Sequence, residues 1–256
     1  MFLCVLALTG VSCEKVSYND KPAAQNASGE SVDSQQQYAL GFNYNYGIGV
    51  PLNYEKAIEH YRKAADMGHM SAQLALATAY ASGEGVTKDP AESFLWYQRA
   101  ADQGNRSAQY ALGMAYLRGE GTTQDPILAA QWFEKAAGQD NPDAQYQLGM
   151  AYLEGKGVSQ NYNNAFSWIK KAADNGVLDA QYQLGVLYNE GLGAPKDETL
   201  ARQWLNRAIT QNSYRAQKYL REMDGVKEAS VEEIIDQRLQ QANKKLEQEQ
   251  PSTDAP

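Results

Sequence analysis

A spacing of 36 residues recurs through most of the chain and constrains its fold more than any other feature. Three residue types keep this spacing: a glutamine, the first glycine of a Gly-x-Gly pair, and a tryptophan. They are Gln37, Gln73, Gln109, Gln145, Gln181 and Gln217; Gly47, Gly83, Gly119, Gly155 and Gly191; and Trp96, Trp132, Trp168 and Trp204. Such a period is typical of a solenoid, in which each unit buries its apolar face against its neighbours. It predicts a surface that holds partners rather than an active site.

The first half of each unit has the pattern of an amphipathic helix. In the fourth unit, Ala144, Leu148 and Tyr152 lie four residues apart, as one stripe of a helix does. Gly149 lies beside that stripe, where a small residue would let a second helix approach closely. The glycine pair that begins at Gly155 predicts the end of this helix, because glycine tolerates the left-handed conformation of helix C-caps.

The second half of each unit predicts another helix, which begins at a side chain suited to capping. The expected capping residues are Asn53, Asp89, Asp125, Asn161 and Asp197. In the fourth unit, one face of this helix carries Ala165, Trp168, Ile169, Ala172 and Ala173. The helix is expected to close near a glycine at Gly68, Gly104 or Gly176, so each unit is predicted to be a helix, a glycine loop and a helix.

The combined pattern of Ala-Gln-x-x-Leu-Gly-x-x-Tyr, Gly-x-Gly-Val, Ala-x-x-Trp and Ala-Ala-x-x-Gly resembles the Sel-1-like repeat, a subclass of tetratricopeptide-like helical repeats. Local departures are His60 in place of tryptophan, and Asp140 and Asn212 in place of the closing glycine. The resemblance implies an all-α, right-handed α-solenoid of antiparallel helix pairs. We expect five repeats over residues 35–212, a partial sixth over 213–223, a C-terminal capping helix over 227–248 and a disordered tail over 249–256.

The N-terminus predicts export. Residues 1–13 contain a short apolar run, small residues and then Cys13, which fits a secretory signal peptide. Cys13 also resembles the acylated cysteine of bacterial lipoproteins, although Gly10 stands where that family usually has leucine and no Lys or Arg precedes the apolar run. Residues 14–34 are polar and predict a flexible linker. The expected location is the periplasm or the outer membrane, with a possible lipid anchor at Cys13.

Composition argues against several other functions. The net charge of -8 and the pI of about 4.9 argue against nucleic acid as a partner. Both cysteines precede the repeats, and the chain has only two histidines. The Gly-x-Gly pairs follow helices, whereas a dinucleotide fingerprint follows a strand. We therefore predict no catalytic residues, no metal site and no cofactor.

The resemblance places the first helices of the repeats along a concave groove. Three columns of side chains share one face of these helices: a tyrosine column, a Phe/Met column and a column of varying charge. The candidate protein-binding residues are Tyr38, Phe42, Tyr46, Tyr110, Met114, Arg118, Tyr146, Met150, Glu154, Tyr182 and Glu190. Tyr and Met are common anchors at interfaces. The alternative for the Tyr and Met side chains is that they pack between adjacent repeats.

The leading functional hypothesis is a non-enzymatic scaffold or adaptor at the bacterial envelope, which binds a protein or extended peptide in this groove. A glycan- or peptidoglycan-associated envelope protein is the alternative, since Tyr and Trp can stack on sugars. A β-lactam-hydrolysing or penicillin-binding enzyme is a third, less favoured hypothesis. Some cysteine-rich members of the family have been described in that way, but this chain lacks their paired cysteines.

Overall fold

The computed structural model describes residues 32–226 and residue 240. These residues form α-helices and no strand, which confirms the predicted all-α repeat fold. The helices are α1 (Val32–Tyr46), α2 (Tyr54–Asp66), α3 (Met70–Ser82), α4 (Pro90–Asp102), α5 (Arg106–Arg118), α6 (Pro126–Ala137), α7 (Pro142–Glu154), α8 (Tyr162–Asp174), α9 (Leu178–Glu190), α10 (Glu198–Thr210) and α11 (Tyr214–Met223). The chain divides into two compact units, Met1–Asp89 with α1–α3 and Pro90–Pro256 with α4–α11.

Several expected segments lie wholly or partly outside the described residues. These are the leader with Cys13, the tail at 249–256 and, apart from Gln240, the capping helix at 227–248. Helix α1 begins at Val32, inside the segment 14–34 that we expected to be a linker.

The second helices begin at the side chains that the sequence indicates. The Asp125 carboxylate accepts hydrogen bonds from the backbone N–H groups of Ile127 at 2.9 Å and Leu128 at 3.0 Å. Asn53, Asn161 and Asp197 cap α2, α8 and α10 in the same way. The first turn of a helix has N–H groups without helical partners, so a side-chain oxygen at this position stabilises it.

The turn after each second helix needs a left-handed residue. Gly68, Gly104 and Gly176 have φ angles of 89°, 90° and 88° there. Asp140 and Asn212 take the same place with φ angles of 56° and 65°. Asp and Asn tolerate this conformation better than other residues with a Cβ. Asp140 and Asn212 therefore preserve the left-handed conformation of the turn where the pattern has glycine.

A glycine lets the two helices of a repeat approach each other closely. A Cβ added to Gly149 on α7 would lie 2.6 Å from Cγ1 of Ile169 on α8. The same relation pairs a glycine with a large side chain elsewhere: Gly41 with Tyr61, Gly113 with Phe133 and Gly185 with Leu205. At these four positions a larger side chain would collide with the facing helix, whereas the second repeat has Ala77 at the equivalent position.

The periodic glutamine links neighbouring repeats through buried hydrogen bonds. Gln145 is 1% exposed, and its Nε2 donates to the carbonyl oxygen of Ala137 at the end of α6. Its Oε1 accepts from Nδ2 of Asn175, after α8, at 3.1 Å. Equivalent side-chain bonds join Gln139 to Gln109 at 2.8 Å and Gln211 to Gln181 at 2.9 Å. A buried amide requires such partners, so the glutamine fixes how one repeat follows the next.

Candidate functional site

Helices α5, α7 and α9 bring the candidate residues of the second unit onto one face of each helix. Tyr110 and Met114 on α5 are half-buried, and Arg118 at the end of that helix is exposed. Helix α7 repeats this order with Tyr146, Met150 and Glu154. On α9, Tyr182 is half-buried and Glu190 is exposed. Each helix therefore offers an aromatic ring at one end and an exposed charge at the other.

Each of these tyrosine rings is partly buried in the core and partly exposed at the surface. The Tyr110 ring centroid lies 6.0 Å from that of Phe133, and Tyr182 meets Tyr219 edge-on at 6.1 Å. Burial raises the pKa of Tyr110, and it raises the pKa of Tyr146 to about 12. These hydroxyls therefore stay protonated and can donate hydrogen bonds near neutral pH. Tyr110 therefore packs on a ring of its own repeat and Tyr182 on a ring of the following one, and both side chains keep part of their surface exposed.

The first unit carries a separate aromatic stripe on α1. Tyr38 is half-buried and stacks on His69, with ring centroids 4.5 Å apart. Phe42 and Tyr46 are more exposed, and their ring centroids also lie 4.5 Å apart. The Tyr46 side chain is 62% exposed, which makes it the most accessible aromatic ring of this stripe.

Both histidines have structural partners in the first unit. Nδ1 of buried His69 accepts a hydrogen bond from the Ala72 backbone N–H and so caps α3. His60 hydrogen-bonds to Oε1 of Gln37 and stacks on Tyr44. Burial lowers the pKa of His60, which favours its neutral form. These contacts support a packing role for each ring.

A cleft of about 280 Å³ lies between α5, α6 and α7. Three of the predicted site residues line it together: Tyr146, Met150 and Glu154. The other lining residues were not among the predicted site residues; they are Leu117, Pro126, Ala129, Ala130, Phe133, Gln147, Ala151 and Lys156. Nζ of Lys156 lies 2.5 Å from a Glu154 carboxylate oxygen, and both side chains are partly exposed.

One of the residues that line the cleft is small where both neighbouring repeats have phenylalanine. Ala130 on α6 lies 36 residues after Phe94 and 36 before Phe166. The Phe94 ring packs edge-on against Tyr116 at 5.3 Å, and the Phe166 ring does so against Tyr188 at 5.2 Å. A comparison of positions 36 residues apart would have revealed this difference in the sequence.

The chemistry on this face suits binding. Apolar contact comes from Met150 and Phe133, hydrogen bonding from Tyr146 and Gln147, and charge from Glu154. Within residues 32–226, no cluster of three or more His, Cys, Asp or Glu side chains could hold a metal ion. In the same part of the chain, every helix is too short or too polar to cross a membrane.

Comparison with protein families finds the Sel1 repeat. Its model matches five consecutive segments: 37–69, 71–105, 106–141, 142–177 and 178–213. Sel1 repeat proteins generally serve as protein-interaction scaffolds, and the family is typically non-enzymatic.

Two solved structures show the same architecture. The first is c5321, a protective antigen of uropathogenic Escherichia coli, with 38% identity and a TM-score of 0.69 over 72% of this chain. The second is a Sel1 repeat protein from Oxalobacter formigenes, with 31% identity and a TM-score of 0.69 over 73% of this chain. The match spans 39% of the c5321 chain and 77% of the Oxalobacter chain. Comparison with the curated proteins finds no match.

Proposed function

The chain belongs to the Sel1 repeat family, and from this premise we propose a non-enzymatic scaffold of the bacterial envelope that binds a protein or extended peptide along the face formed by α5, α7 and α9. The cleft between α5, α6 and α7 is the observation that carries the proposal. It combines a half-buried ring, a thioether and an exposed carboxylate from Tyr146, Met150 and Glu154. Large rings next to apolar recesses are typical of the anchor points of interfaces.

A crosslinking pull-down from native membranes tests this proposal. The wild-type protein is compared with the double variant Tyr110→Ala/Tyr146→Ala, after circular dichroism shows equal helicity. Tyr162→Ala is the matched control, because Tyr162 is 40% exposed and lies at the start of α8, away from the cleft. We expect wild type and Tyr162→Ala to capture a partner that the double variant loses. Equal capture by all three would contradict the site, and no capture by any of them would contradict the scaffold.

The envelope location rests on the leader sequence and on Cys13. Metabolic labelling with a tritiated fatty acid tests the lipid anchor. We expect wild-type protein to be labelled and Cys13→Ser to remain unlabelled. Recovery of the full-length, unlabelled protein in the cytosol would contradict both export and anchoring.

A second candidate function rests on the first unit. The exposed rings of Phe42 and Tyr46 form an apolar platform that can stack on sugar rings. A glycan-associated protein would use this platform on peptidoglycan. Sedimentation of the purified protein with protein-free sacculi tests the idea, with Tyr46→Ala as the variant. Binding that Tyr46→Ala abolishes would favour this function over the scaffold, whereas an absence of sedimentation would dismiss it.

A further inference from the structure

We propose that the first repeat rests on the surface of a lipid membrane through the end of α1 and the loop that follows it. The contact surface is a cluster of aromatic and aliphatic side chains, here called the tip, which consists of Phe42, Tyr46, Ile48 and Leu52. This contact would add to the lipid anchor proposed above at Cys13, and it rests on that proposal.

The side chains of the tip are large, apolar and exposed. Ile48 and Leu52 are 52% and 56% exposed, and both rings of the tip are exposed as well. The ring centroids of Phe42 and Tyr46 lie 4.5 Å apart. A Cβ added to Gly47, which follows Tyr46, would lie 3.6 Å from Cβ of Leu52. The tip is therefore a cluster at one end of α1.

Backbone hydrogen bonds hold the loop of the tip against its helix. The N–H of Ile48 donates to the carbonyl oxygen of Asn43 at 2.9 Å, and the N–H of Asn53 donates to that of Tyr44 at 2.9 Å. Asn53 also caps α2 with its side chain. Both ends of the loop are thus fixed, so a surface that binds the tip would not have to order its backbone first.

The tip is particular to the first repeat. Tyr46 corresponds to Ser82, Arg118, Glu154 and Glu190 in the later repeats; Ile48 corresponds to Glu84, Glu120, Lys156 and Leu192; and Leu52 corresponds to Lys88, Gln124, Gln160 and Lys196. Leu192, the one apolar counterpart, is partly buried against the core beside α8. The repeat fold does not need apolar side chains at these positions, so the exposed cluster in the first repeat indicates a binding surface.

The absence of charge around the tip favours a lipid surface. Residues 34–54 contain no Asp, Glu, Lys, Arg or His, whereas the equivalent residues 70–90 contain Glu84, Lys88 and Asp89. Tyrosine and aliphatic side chains suit the boundary between the headgroups and the acyl chains of a bilayer. Since no described helix is long and apolar enough to cross a membrane, the contact would be with the membrane surface.

The position of the tip along the chain brings it within reach of an anchored N-terminus. Eighteen residues separate Cys13 from Val32, where α1 begins. A flexible linker of that length spans roughly 25 Å on average. Helix α1 itself is about 22 Å long, at 1.5 Å per residue. A tethered surface meets the membrane at a high effective concentration, so a small apolar cluster is sufficient.

The size and composition of the tip disfavour other occupants. A standard protein interface takes roughly 20–30 residues from each side, whereas the tip offers four side chains. Neither a second copy of the chain nor a folded partner would therefore gain enough contact area from it. Ile48 and Leu52 have no ring to stack on a sugar, so a glycan would use only half of the tip.

Photolabelling from within a bilayer tests the contact. The full-length chain with Cys4→Ser is coupled through Cys13 to a maleimide phospholipid in phosphatidylcholine vesicles, so the tether does not depend on acylation in the cell. A diazirine on the acyl chains of the vesicle lipid reacts with the protein on illumination, and mass spectrometry locates the adducts. We expect at least fivefold more adducts on residues 42–52 than on residues 78–88, the same segment one repeat later.

A charged first loop should abolish the labelling. Ile48→Glu/Leu52→Lys introduces the residue types that the second repeat carries at Glu84 and Lys88, and it leaves the net charge unchanged. We expect it to lower the labelling of residues 42–52 to the level of residues 78–88. Should this variant lose helicity in circular dichroism, Tyr46→Ser replaces it and should lower the labelling at least twofold.

Leu95→Lys/Ile127→Glu is the matched control. It introduces the same two charges at exposed apolar residues of α4 and α6, which lie outside the tip. We expect it to leave the labelling of residues 42–52 unchanged. An equal loss in this variant would contradict a role of the tip.

Other results would also overturn the proposal. These are equal labelling of the two segments, and labelling that Ile48→Glu/Leu52→Lys leaves unchanged. Capture of a protein partner, or binding to sacculi, that this variant abolishes while lipid labelling is absent would assign the tip to a protein or a glycan instead.

The membrane contact and the lipid anchor can fail separately. If the cell acylates Cys13 but the tip of the coupled protein is not labelled, the contact fails and the anchor stands. If the tip is labelled but Cys13 is not acylated in the cell, the anchor fails and the affinity of the tip for lipid stands.

Discussion

Gly149 and Ile169 lie so close together that a Cβ on the glycine would sit 2.6 Å from Cγ1 of the isoleucine. Tyr61, Phe133 and Leu205 stand in the same relation to their own glycines, although their shapes differ. The close approach therefore belongs to the helix pair as a whole and not to one particular side chain. It explains how a glycine can recur inside a helix, where it normally weakens the helix.

Replacement of Gly149 by alanine should destabilise the protein. The added methyl group also meets the Ile169 backbone nitrogen at 3.0 Å, so movement of the side chain alone cannot relieve the clash. We expect a loss of about 1–3 kcal/mol in the free energy of unfolding, measured by urea denaturation. Gly138→Ala is the control, because Gly138 has a φ of -65° that alanine adopts freely. Equal stability of Gly149→Ala and wild type would contradict the packing argument.

Gln145→Leu should remove the hydrogen bonds that link neighbouring repeats. The Ala137 carbonyl would lose its side-chain donor, and Asn175 would lose its acceptor. Urea denaturation should show a loss of about 1–3 kcal/mol, because buried polar groups lose their partners. Gln217 has the same register but is exposed, so Gln217→Leu should change stability by less than about 0.5 kcal/mol. Similar losses in the two variants would show that burial of the glutamine is irrelevant.

Phe166→Ala and Ala130→Phe should change stability in opposite directions. Phe166→Ala removes the ring that packs on Tyr188. Because Phe166 is half-buried, we expect a loss of about 2–3 kcal/mol, below the roughly 3–5 kcal/mol of a core phenylalanine. Ala130→Phe fills an existing cleft, so its melting temperature should match or exceed that of wild type. A lower melting temperature for Ala130→Phe would mean that the wall of the cleft cannot accept a ring.

Tyr146 should make the folded protein sensitive to alkaline pH. Its pKa rises from the usual 10 to about 12 in the folded state, mainly through burial. The folded state therefore holds this proton more tightly than the unfolded state. The resulting stability is fully present below pH 10 and is lost as the pH rises from 10 to 12. Solvent screening at this half-exposed ring keeps the effect below roughly 1.4 kcal/mol per pH unit.

The difference between wild type and Tyr146→Phe isolates this effect from the other tyrosines. Phenylalanine keeps the ring but has no proton to lose. In urea denaturation at pH 8, 10 and 11, the stability of wild type should fall more steeply above pH 10 than that of Tyr146→Phe. Parallel pH profiles for the two proteins would contradict the raised pKa.

The sequence predicts the helices well because local chemistry sets their ends. Asp125 and Asn161 are capping residues in the sequence and cap helices in the structure. The close approach at Gly149 also follows from its position next to an apolar stripe. The hydrogen-bond partners of Gln145 could not be predicted from the sequence, because Ala137 lies in the preceding repeat and Asn175 follows α8. Such contacts depend on how the repeats stack, which a period alone does not specify.

The candidate site could be predicted only in part. The spacing placed Tyr146, Met150 and Glu154 on one face of a helix, and all three line the cleft. The predicted site residues come from columns that recur every 36 residues, whereas Ala130 departs from the phenylalanine found 36 residues before and after it. The buried fraction of a tyrosine ring also depends on the neighbouring helix, because the Tyr110 ring packs on Phe133 of α6.

The 36-residue period also has a genetic consequence. Loss of the codons for residues 130–165 would join Ala129 directly to Phe166 and leave every later residue in register. The shortened chain would lose α7 with Tyr146, Met150 and Glu154. It would keep the capping residues and glutamines of the remaining repeats, and it would carry a phenylalanine in place of Ala130. One in-frame recombination between two repeats could therefore erase the cleft while the scaffold survives. Among relatives with different numbers of repeats, gain or loss of this cleft should accompany the change in repeat number.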